Sequence, residues 1–194
     1  MPAFNKLIIA SNNLKKREEI ESILGSLGIQ FVPANQTVFV DVIEDGETFA
    51  ENAKKKADAF MLANQLPALA DDSGLCVKAL NGAPGVYSAR FAGVAAVDSE
   101  NNDKLLADLD GIKERSAHFM CSLHLSMPSG ECSSAEGRVE GRILDCVTGD
   151  TGFGYDPLFF SPELNKTFAQ SSSEEKSSVS HRGRALRALK SQLK

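Results

Sequence analysis

The sequence predicts an α/β fold with a mixed β-sheet, and three observations lead to that prediction. Strand-like and helix-like apolar patterns alternate along the chain. Near the N-terminus, a short apolar run, a polar turn and a helical pattern form a strand–turn–helix unit. In the second half, two alternating segments flank a Pro-Ser-Gly-Glu connection, which predicts an antiparallel pair. The 194 residues suffice for one core and no compositional shift marks a linker, so we predict one domain over residues 1–194.

The N-terminal third contains two predicted strands, each followed by a predicted helix. KLIIA at 6–10 is a short apolar strand, and the apolar residues after it recur at helical spacing until Gly28 ends the pattern. TVFVDV at 37–42 alternates like a half-buried strand. The second helix begins after Thr48, because Thr48 and Glu51 have the spacing of a capping box.

Two adjacent aspartates interrupt an apolar run in the middle of the chain. Asp71 and Asp72 follow Leu69 and Ala70 without a spacer, although aspartate is depleted from strands. We therefore expect a strand that is interrupted here, with a turn at residues 73–74 that brings both carboxylates to the edge of a site.

The remaining segments complete the predicted order of elements. Residues 81–93 are a Gly- and Pro-rich loop, followed by a short helix capped by Ser99. After the two alternating strands, 149–160 is a Gly-aromatic loop, and 170–180 is a Ser-rich stretch typical of a mobile segment. A basic helix capped by Ser180 ends the sequence.

The composition excludes several classes of function. A formal net charge of −5 gives no basic field for a nucleic-acid polymer or an anionic membrane, so any anionic ligand needs local cations. No apolar run approaches the ~18 residues of a membrane helix, and the N-terminal apolar segment is too short for a signal peptide. We expect a cytoplasmic protein. The four cysteines lack C-x-x-C spacing and are expected to act as small apolar side chains rather than as a zinc site or a disulfide framework.

Two polar constellations could carry chemistry. Ser11, Asn12 and Asn13 precede a helix that has Lys15 and Lys16 in its first turn, an arrangement suited to phosphate; alternatively, Asn13 only caps the helix and the lysines are solvated. The acidic set comprises three carboxylates that could hold Mg²⁺ or could only stabilise turns: Asp71, Asp72 and Glu44.

Near the C-terminus, the aromatic residues Phe153 and Tyr155 could stack on a nucleobase or anchor the core. His181 and Arg182 begin the last helix and could donate hydrogen bonds to a carbonyl.

Taken in order, six blocks closely resemble the inosine/xanthosine triphosphate pyrophosphatase family. These blocks, between residues 11 and 186, are SNNLKKREE, TFAENAKKKA, ADDSGL, GAPGVYSARFAG, FGYDPLFF and EEKSSVSHRGRAL. The resemblance implies an α/β fold in which a long mixed sheet flanked by helices forms two lobes around a central active-site cleft, and a homodimer. It further implies Mg²⁺-dependent cleavage of ITP, dITP or XTP at the α–β phosphate bond. The products are the monophosphate and pyrophosphate, which keeps these nucleotides out of DNA and RNA.

The resemblance also assigns roles to individual residues. Asp72 matches the catalytic base and metal ligand, with Asp71 beside it and Glu44 as a further metal ligand. The implied substrate contacts are Ser11, Asn12, Asn13, Leu14, Lys15, Lys16, Lys56, Ser73, Phe153, Gly154, Tyr155, Asp156, Lys176, His181 and Arg182. Asn12 stands where the family usually has glycine, and we expect the turn to survive because asparagine tolerates a left-handed φ.

A hydrogen-bond argument predicts base selectivity. Donors on His181 and Arg182 would satisfy the O6 of hypoxanthine or xanthine but would face the amino hydrogens of adenine. Two alternatives stay open: a pyrophosphatase for another modified nucleotide, and a nucleotide sensor without turnover.

Overall fold

The computed structural model describes residues 4–194; residues 1–3, with which the predicted domain begins, lie outside the described residues. The strands are β1 Lys6–Ile9, β2 Gln30–Phe31, β3 Ala68–Val77, β4 Ser116–Ser126, β5 Cys132–Ile143, β6 Phe159–Ser161 and β7 Lys166–Thr167. The α-helices are α1 Leu14–Leu24, α2 Phe49–Asn64, α3 Asp98–Asp108, α4 Ser173–Val179 and α5 His181–Gln192. Short 3₁₀ helices comprise Gly25–Leu27, Ala34–Gln36, Lys78–Leu80, Gly85–Arg90 and Phe168–Gln170.

The strands form one mixed sheet in the order β2-β1-β3-β4-β5-β6-β7. β1 is parallel to β2 and β3, whereas β6 is antiparallel to β5 and β7. The neighbours β4 and β5 are joined by a connection too short for a parallel crossover, as the Pro-Ser-Gly-Glu pattern predicts. The predicted α/β class with a mixed sheet is confirmed.

The chain divides into two compact units. The first comprises the residues up to Asp72 together with Cys121–Gly137 and Arg182–Lys194, and the second comprises Ser73–Met120 and Arg138–His181.

In the first unit, β1 carries apolar residues on both faces. Leu7 and Ile9 pack in one cluster with Ile20 of α1, whereas Ile8 packs in another with Phe60 of α2. A parallel strand covered on both faces has a continuous apolar sequence, which is why KLII identifies it. α1 ends at Leu24, before the predicted stop, and the 3₁₀ helix Gly25–Leu27 continues it to Gly28, which adopts the left-handed conformation.

The second predicted strand, at 37–42, is wrong. This segment has no regular structure, and Val40 and Val42 pack against the cluster around Phe60 while Asp41 and Ile43 are exposed. One-sided packing of an extended segment produces the same alternation as a strand, because both have a period of two residues.

The predicted interruption at the aspartates is also wrong, because β3 continues through residues 71–74 without a turn. Successive side chains of a strand point to opposite faces, so Asp71 and Asp72 lie on different sides of the sheet. Each has charged partners on its own side, which removes the penalty for placing it in a buried strand.

Two helix predictions in the second unit need correction. Ser99 lies inside α3, whose N-cap is Val97, and the side chain of Glu100 accepts the N–H of Val97 at 2.8 Å. The Ser-rich stretch contains α4, which Ser172 and Glu175 begin with a capping box. This S-x-x-E signal is present in the sequence but is hidden among the neighbouring serines.

The core of the second unit is aromatic. Phe119 and Phe159 lie with ring centroids 4.7 Å apart, and Phe168 lies 5.0 Å from Phe159. All four cysteines are free thiols; Cys121 is buried as an apolar side chain would be, whereas Cys132 and Cys146 are exposed. Within residues 4–194, no helix has both the length and the apolar character needed to span a membrane.

Acidification should destabilise the protein through His124. Burial lowers the pKa of this imidazole, and the charge of Lys54 acts in the same direction against Asp58. The native state then binds fewer protons than the unfolded state, so stability falls as the pH drops below about 6.5, at no more than about 1.4 kcal/mol per pH unit for this one group. Urea unfolding between pH 7.5 and 5.5 should show a flatter decline in His124→Gln.

Ser134→Ala is the control for this prediction, because it removes the hydroxyl that contacts Nδ1 of His124 at 2.8 Å but leaves the imidazole. Equal slopes in wild type and His124→Gln would contradict the assignment.

Candidate active site

The predicted site residues fall into two groups, one in each unit, and the first begins at the turn before α1. Asn13 is the N-cap, since its Oδ1 accepts the N–H of Lys16 at 3.2 Å. Asn13 in turn donates its own N–H to Oγ of Ser11 at 3.2 Å. Residues 12–15 are exposed, and the first turn of α1 holds no acidic side chain. Asn12 does not adopt a positive φ, so the turn forms without the glycine that is usual in the resembled family.

Arg17, which was not predicted from the sequence, stabilises this turn through hydrogen bonds to backbone carbonyls. Its Nη1 donates to the carbonyl of Ile9 at 2.8 Å, and its Nη2 donates to that of Val32 at 3.2 Å. The side chain is buried and ties the end of β1 to the start of α1. A single arginine in a charged helix carries no sequence signal for this role.

Asp71 lies among cations on one face of β3. Its Oδ2 accepts from Lys16 at 3.1 Å and from Nε and Nη2 of Arg182 at 3.2 and 3.1 Å. Arg182 also pairs with Glu19, 2.6 Å from Nη1. Burial alone would raise the pKa of Asp71, but the charges of Lys16, Arg182 and Lys56 hold it well below its usual range. The carboxylate therefore stays ionised and orients two cations.

Asp72 lies on the opposite face, against α2. Lys56 Nζ is 3.1 Å from Asp72 Oδ1 and 2.8 Å from Glu44 Oε2, and Asn52 donates to Asp72 Oδ2 at 3.3 Å. Burial, with the added negative charge of Glu44, raises the pKa of Asp72 to about 6 against the opposing effect of Lys56. Burial would lower the pKa of Lys56, but Asp72, Asp71 and Glu44 together raise it, so the ammonium stays charged.

A close approach at Gly46 positions the segment that carries Glu44. Gly46 donates its N–H to Asn52 Oδ1 at 2.8 Å, and a Cβ on Gly46 would lie 2.7 Å from that oxygen and 2.9 Å from Cβ of Glu51. Gly46→Ala should therefore lower the free energy of unfolding by about 1–3 kcal/mol, the usual cost of overpacking. Urea denaturation measures it.

Gly25→Ala is the matched control for Gly46→Ala, because a Cβ there meets nothing within 4 Å. An equal effect of both changes would contradict the close approach.

The three carboxylates predicted as metal ligands are not assembled as one group. Among residues 4–194, no three His, Cys, Asp or Glu side chains are placed to hold one metal ion. Glu44 and Asp72 interact directly and share Lys56, whereas Asp71 is paired with Lys16 and Arg182. The donor chemistry of Glu44 and Asp72 suits Mg²⁺, which uses one or two carboxylates and completes its shell with water and phosphate.

The second group surrounds the loop at residues 152–156. Asp156 is buried, and its Oδ2 accepts from Lys176 Nζ at 2.6 Å and from the N–H of Phe153 at 2.9 Å. Lys176 Nζ also lies 4.4 Å from the ring centroid of Phe153. Gly152 is required here, because its φ is +78° and a Cβ would meet Asp156 Oδ2 at 2.3 Å. The cluster presents a half-buried ring beside a fixed ammonium group.

The two aromatic residues of this loop have different environments. Tyr155 is buried in the core, and its hydroxyl donates to the carbonyl of Ser88 at 2.9 Å. Its ring therefore anchors the loop, and the suggestion that it stacks on a base applies only to Phe153, which is partly exposed.

The predicted carbonyl donors are buried as well. The His181 ring stacks on Phe119, with centroids 4.7 Å apart and an interplanar angle of 14°. Arg182 directs its guanidinium at Asp71 and Glu19, and its contact with the substrate stays a prediction. Ser73 is half-buried on β3, directly after Asp72.

Comparison with known proteins identifies relatives over nearly the whole chain. The Ham1 family model matches residues 7–192. The dITP/XTP pyrophosphatase of Clostridium perfringens is 48% identical, with 97% of each chain covered. That of Desulforamulus reducens is 50% identical, covering 94% of this chain and 92% of the relative. A HAM1 protein structure from Coxiella burnetii has a TM-score of 0.90 at 40% identity, with 98% of each chain covered. The Staphylococcus aureus Ham1 protein has a TM-score of 0.88 at 42% identity, with 97% of each chain covered.

Proposed function

Because the chain belongs to the Ham1 family, we propose that it is a pyrophosphatase of non-standard purine nucleoside triphosphates. It converts dITP, ITP or XTP and water into the nucleoside monophosphate and pyrophosphate. The observation that carries the proposal is that the carboxylates of Asp72 and Glu44 both contact the ammonium group of Lys56. This pair combines a proton acceptor with cation-binding oxygens. Relatives of similar length named dITP/XTP pyrophosphatase support the choice of substrate.

The triphosphate needs local positive charge, since the whole chain has a net charge of −5. Lys15 and Lys16 lie in the first turn of α1, where they oppose the helix dipole at a cost of ~0.3–1 kcal/mol each. A bound polyanion removes that cost, because the lysines and the N–H groups at the helix N-terminus then attract the same phosphate oxygens.

We propose Mg²⁺ as the cofactor, held by Asp72 and Glu44. When bound, it neutralises charge on the phosphate oxygens. The protein's part is to keep the two carboxylates together, which Lys56 does through its two ion pairs and Asn52 through its hydrogen bond to Asp72.

Asp72 orients the attacking water and accepts its proton. Before a cation binds, its pKa of about 6 leaves it ionised at neutral pH, so that it can both hold the cation and accept a hydrogen bond from the water. The water oxygen bonds to the α-phosphorus, the bond from that phosphorus to the bridging oxygen breaks, and pyrophosphate leaves.

The base is recognised by the loop at residues 152–156. The half-buried ring of Phe153 offers one face for stacking, because the Lys176 ammonium group lies over the ring, 4.4 Å from its centroid. A donor placed at the O6 of a keto purine would face the amino hydrogens of adenine. His181 and Arg182 remain predicted donors, and Arg182 also pairs with Asp71.

A substrate panel tests the proposal. The protein is incubated with dITP, XTP, dATP, dGTP and a modified pyrimidine triphosphate, with Mg²⁺ and with EDTA, and the products are separated by ion exchange. Monophosphate plus pyrophosphate from the keto non-standard purines, abolished by EDTA, is the expected result. Turnover of modified pyrimidine triphosphates alone would favour a different modified nucleotide, and binding without product would favour the sensor.

The assembly is a separate proposal. We propose a homodimer, which sedimentation equilibrium tests directly. A cytoplasmic location without nucleic-acid or membrane partners stays a prediction from the sequence.

A further inference from the structure

Helix α3 binds both backbone polar groups of a single residue in the loop at 152–156. Asp98 Oδ2 accepts the N–H of Gly154 at 2.6 Å, and Asn102 Nδ2 donates to the carbonyl of Gly154 at 3.0 Å. Asp98 and Asn102 are four residues apart and so lie on one face of the helix, one turn from each other. The donor and the acceptor of one backbone residue are thus both held by one rigid element.

These two hydrogen bonds restrain the part of the loop whose backbone is most flexible, around Gly152 and Gly154. Gly152 and Gly154 both have positive φ, at +78° and +61°, and glycine samples many backbone conformations at little cost. Phe153 lies between them, so its ring direction depends on the orientation of both flanking residues. Asp156 fixes the N–H of Phe153, and α3 fixes Gly154.

The burial of Asn102 also indicates that its side chain serves to position the loop. The side chain is buried, and its Oδ1 has no hydrogen-bond partner within the described part of the chain. A buried acceptor without a partner is destabilising, and an apolar side chain of similar size would avoid this. The hydrogen bond from Nδ2 to Gly154 is what an apolar side chain could not supply.

We propose that Asp98 and Asn102 are positioning residues for base recognition. The inference rests on the proposed function, because the loop they hold is the one that contacts the base. By fixing Gly154 they fix the orientation of the Phe153 ring, and with it the position at which the O6 of a stacked keto purine meets its hydrogen-bond donor. They contribute nothing to the handling of the phosphates, which belongs to Asp72, Glu44 and the lysines.

The test uses graded changes at Asp98. Asp98→Ala removes the acceptor for Gly154, whereas Asp98→Asn keeps an oxygen in the same place. Asp103→Ala, an exposed acidic position on the same helix, is the matched control. Asn102→Leu removes the other contact and is assayed alongside, with thermal unfolding recorded for every variant.

The kinetics with dITP and the inhibition constant of pyrophosphate together distinguish a positioning role from a general loss of structure. Asp98→Ala and Asn102→Leu should raise the KM for dITP by about 10- to 100-fold and narrow the dITP-to-dATP ratio of kcat/KM by a similar factor. The inhibition constant of pyrophosphate, which lacks a base, should stay within about twofold of wild type. Asp98→Asn should recover most of the dITP KM, and Asp103→Ala should behave as wild type.

Three results would overturn the proposal: an unchanged dITP-to-dATP ratio in Asp98→Ala, an equal loss in pyrophosphate binding, or no recovery in Asp98→Asn. Failure of the proposed function is seen separately, because wild-type protein would then show no preference for dITP in the first place.

Discussion

Replacing Asp72 with Asn should lower kcat/KM for dITP by about 10²–10⁴-fold, the contribution typical of a positioned proton acceptor. The amide cannot take the proton of the attacking water and is a poorer ligand for Mg²⁺ than a carboxylate. Its oxygen can still accept from Lys56, which contacts Oδ1 of Asp72, so the change loses only the hydrogen bond from Asn52 to Oδ2. The fold should therefore persist, and steady-state kinetics with circular dichroism should show lost turnover in a folded protein.

Asp41→Asn is the matched control for this change, because Asp41 is exposed in the segment that leads to Glu44. It should keep wild-type kinetics. If Asp72→Asn retained more than about a tenth of the wild-type kcat/KM, the assignment of Asp72 as proton acceptor would fail.

The second large effect concerns the ion pair between Asp71 and Arg182. Both side chains are buried, and without Arg182 the carboxylate of Asp71 keeps Lys16 as its close cation, so the loss should approach about 3–5 kcal/mol, the cost of breaking a buried ion pair. Arg182→Met should therefore lower the free energy of unfolding in urea by that amount. Glu19, the other partner of Arg182, is more exposed and can be solvated, so most of the loss arises at Asp71.

The double variant Asp71→Leu with Arg182→Met sharpens this test. Replacing a buried ion pair by apolar side chains of similar volume is often close to neutral for stability. The double variant should recover most of the stability lost in Arg182→Met. It should not recover the activity, because Lys16, next to the turn that precedes α1, loses its partner Asp71. If the double variant lost as much stability as Arg182→Met and Asp71→Leu lose together, a direct pairing would be contradicted.

Sequence patterns predicted the fold where local and tertiary requirements agree. β1 and the capping box of α2 are examples, because an apolar run and a Thr48–Glu51 pair specify their own conformation. The segment at 37–42 has the alternation of a strand but no neighbour to pair with, and pairing is a property of the whole sheet. β6 and β7, of three and two residues, are defined by their partners and leave almost no pattern.

The candidate site shows the same division. Asp72 could be singled out from the sequence, because a carboxylate in an apolar run is unusual, whereas Lys56 and Lys176 were identified only through the resemblance to the pyrophosphatase family. The pairing of Asp71 with Arg182 could not, because those residues are far apart in the chain. Asp98 and Asn102 were missed for a related reason: on a helix, an acid and an amide are ordinary surface residues until a loop is packed on them.

Hydrolysis of dITP in ¹⁸O-labelled water, followed by ³¹P NMR of both products, tests the central claim most directly. Attack at the α-phosphorus places the labelled oxygen in the monophosphate and leaves the pyrophosphate unlabelled, and this is the result that the proposed roles of Asp72 and the lysines predict. Label in the pyrophosphate would mean that water attacks the β-phosphorus, and the proposed positioning of the triphosphate would then be wrong.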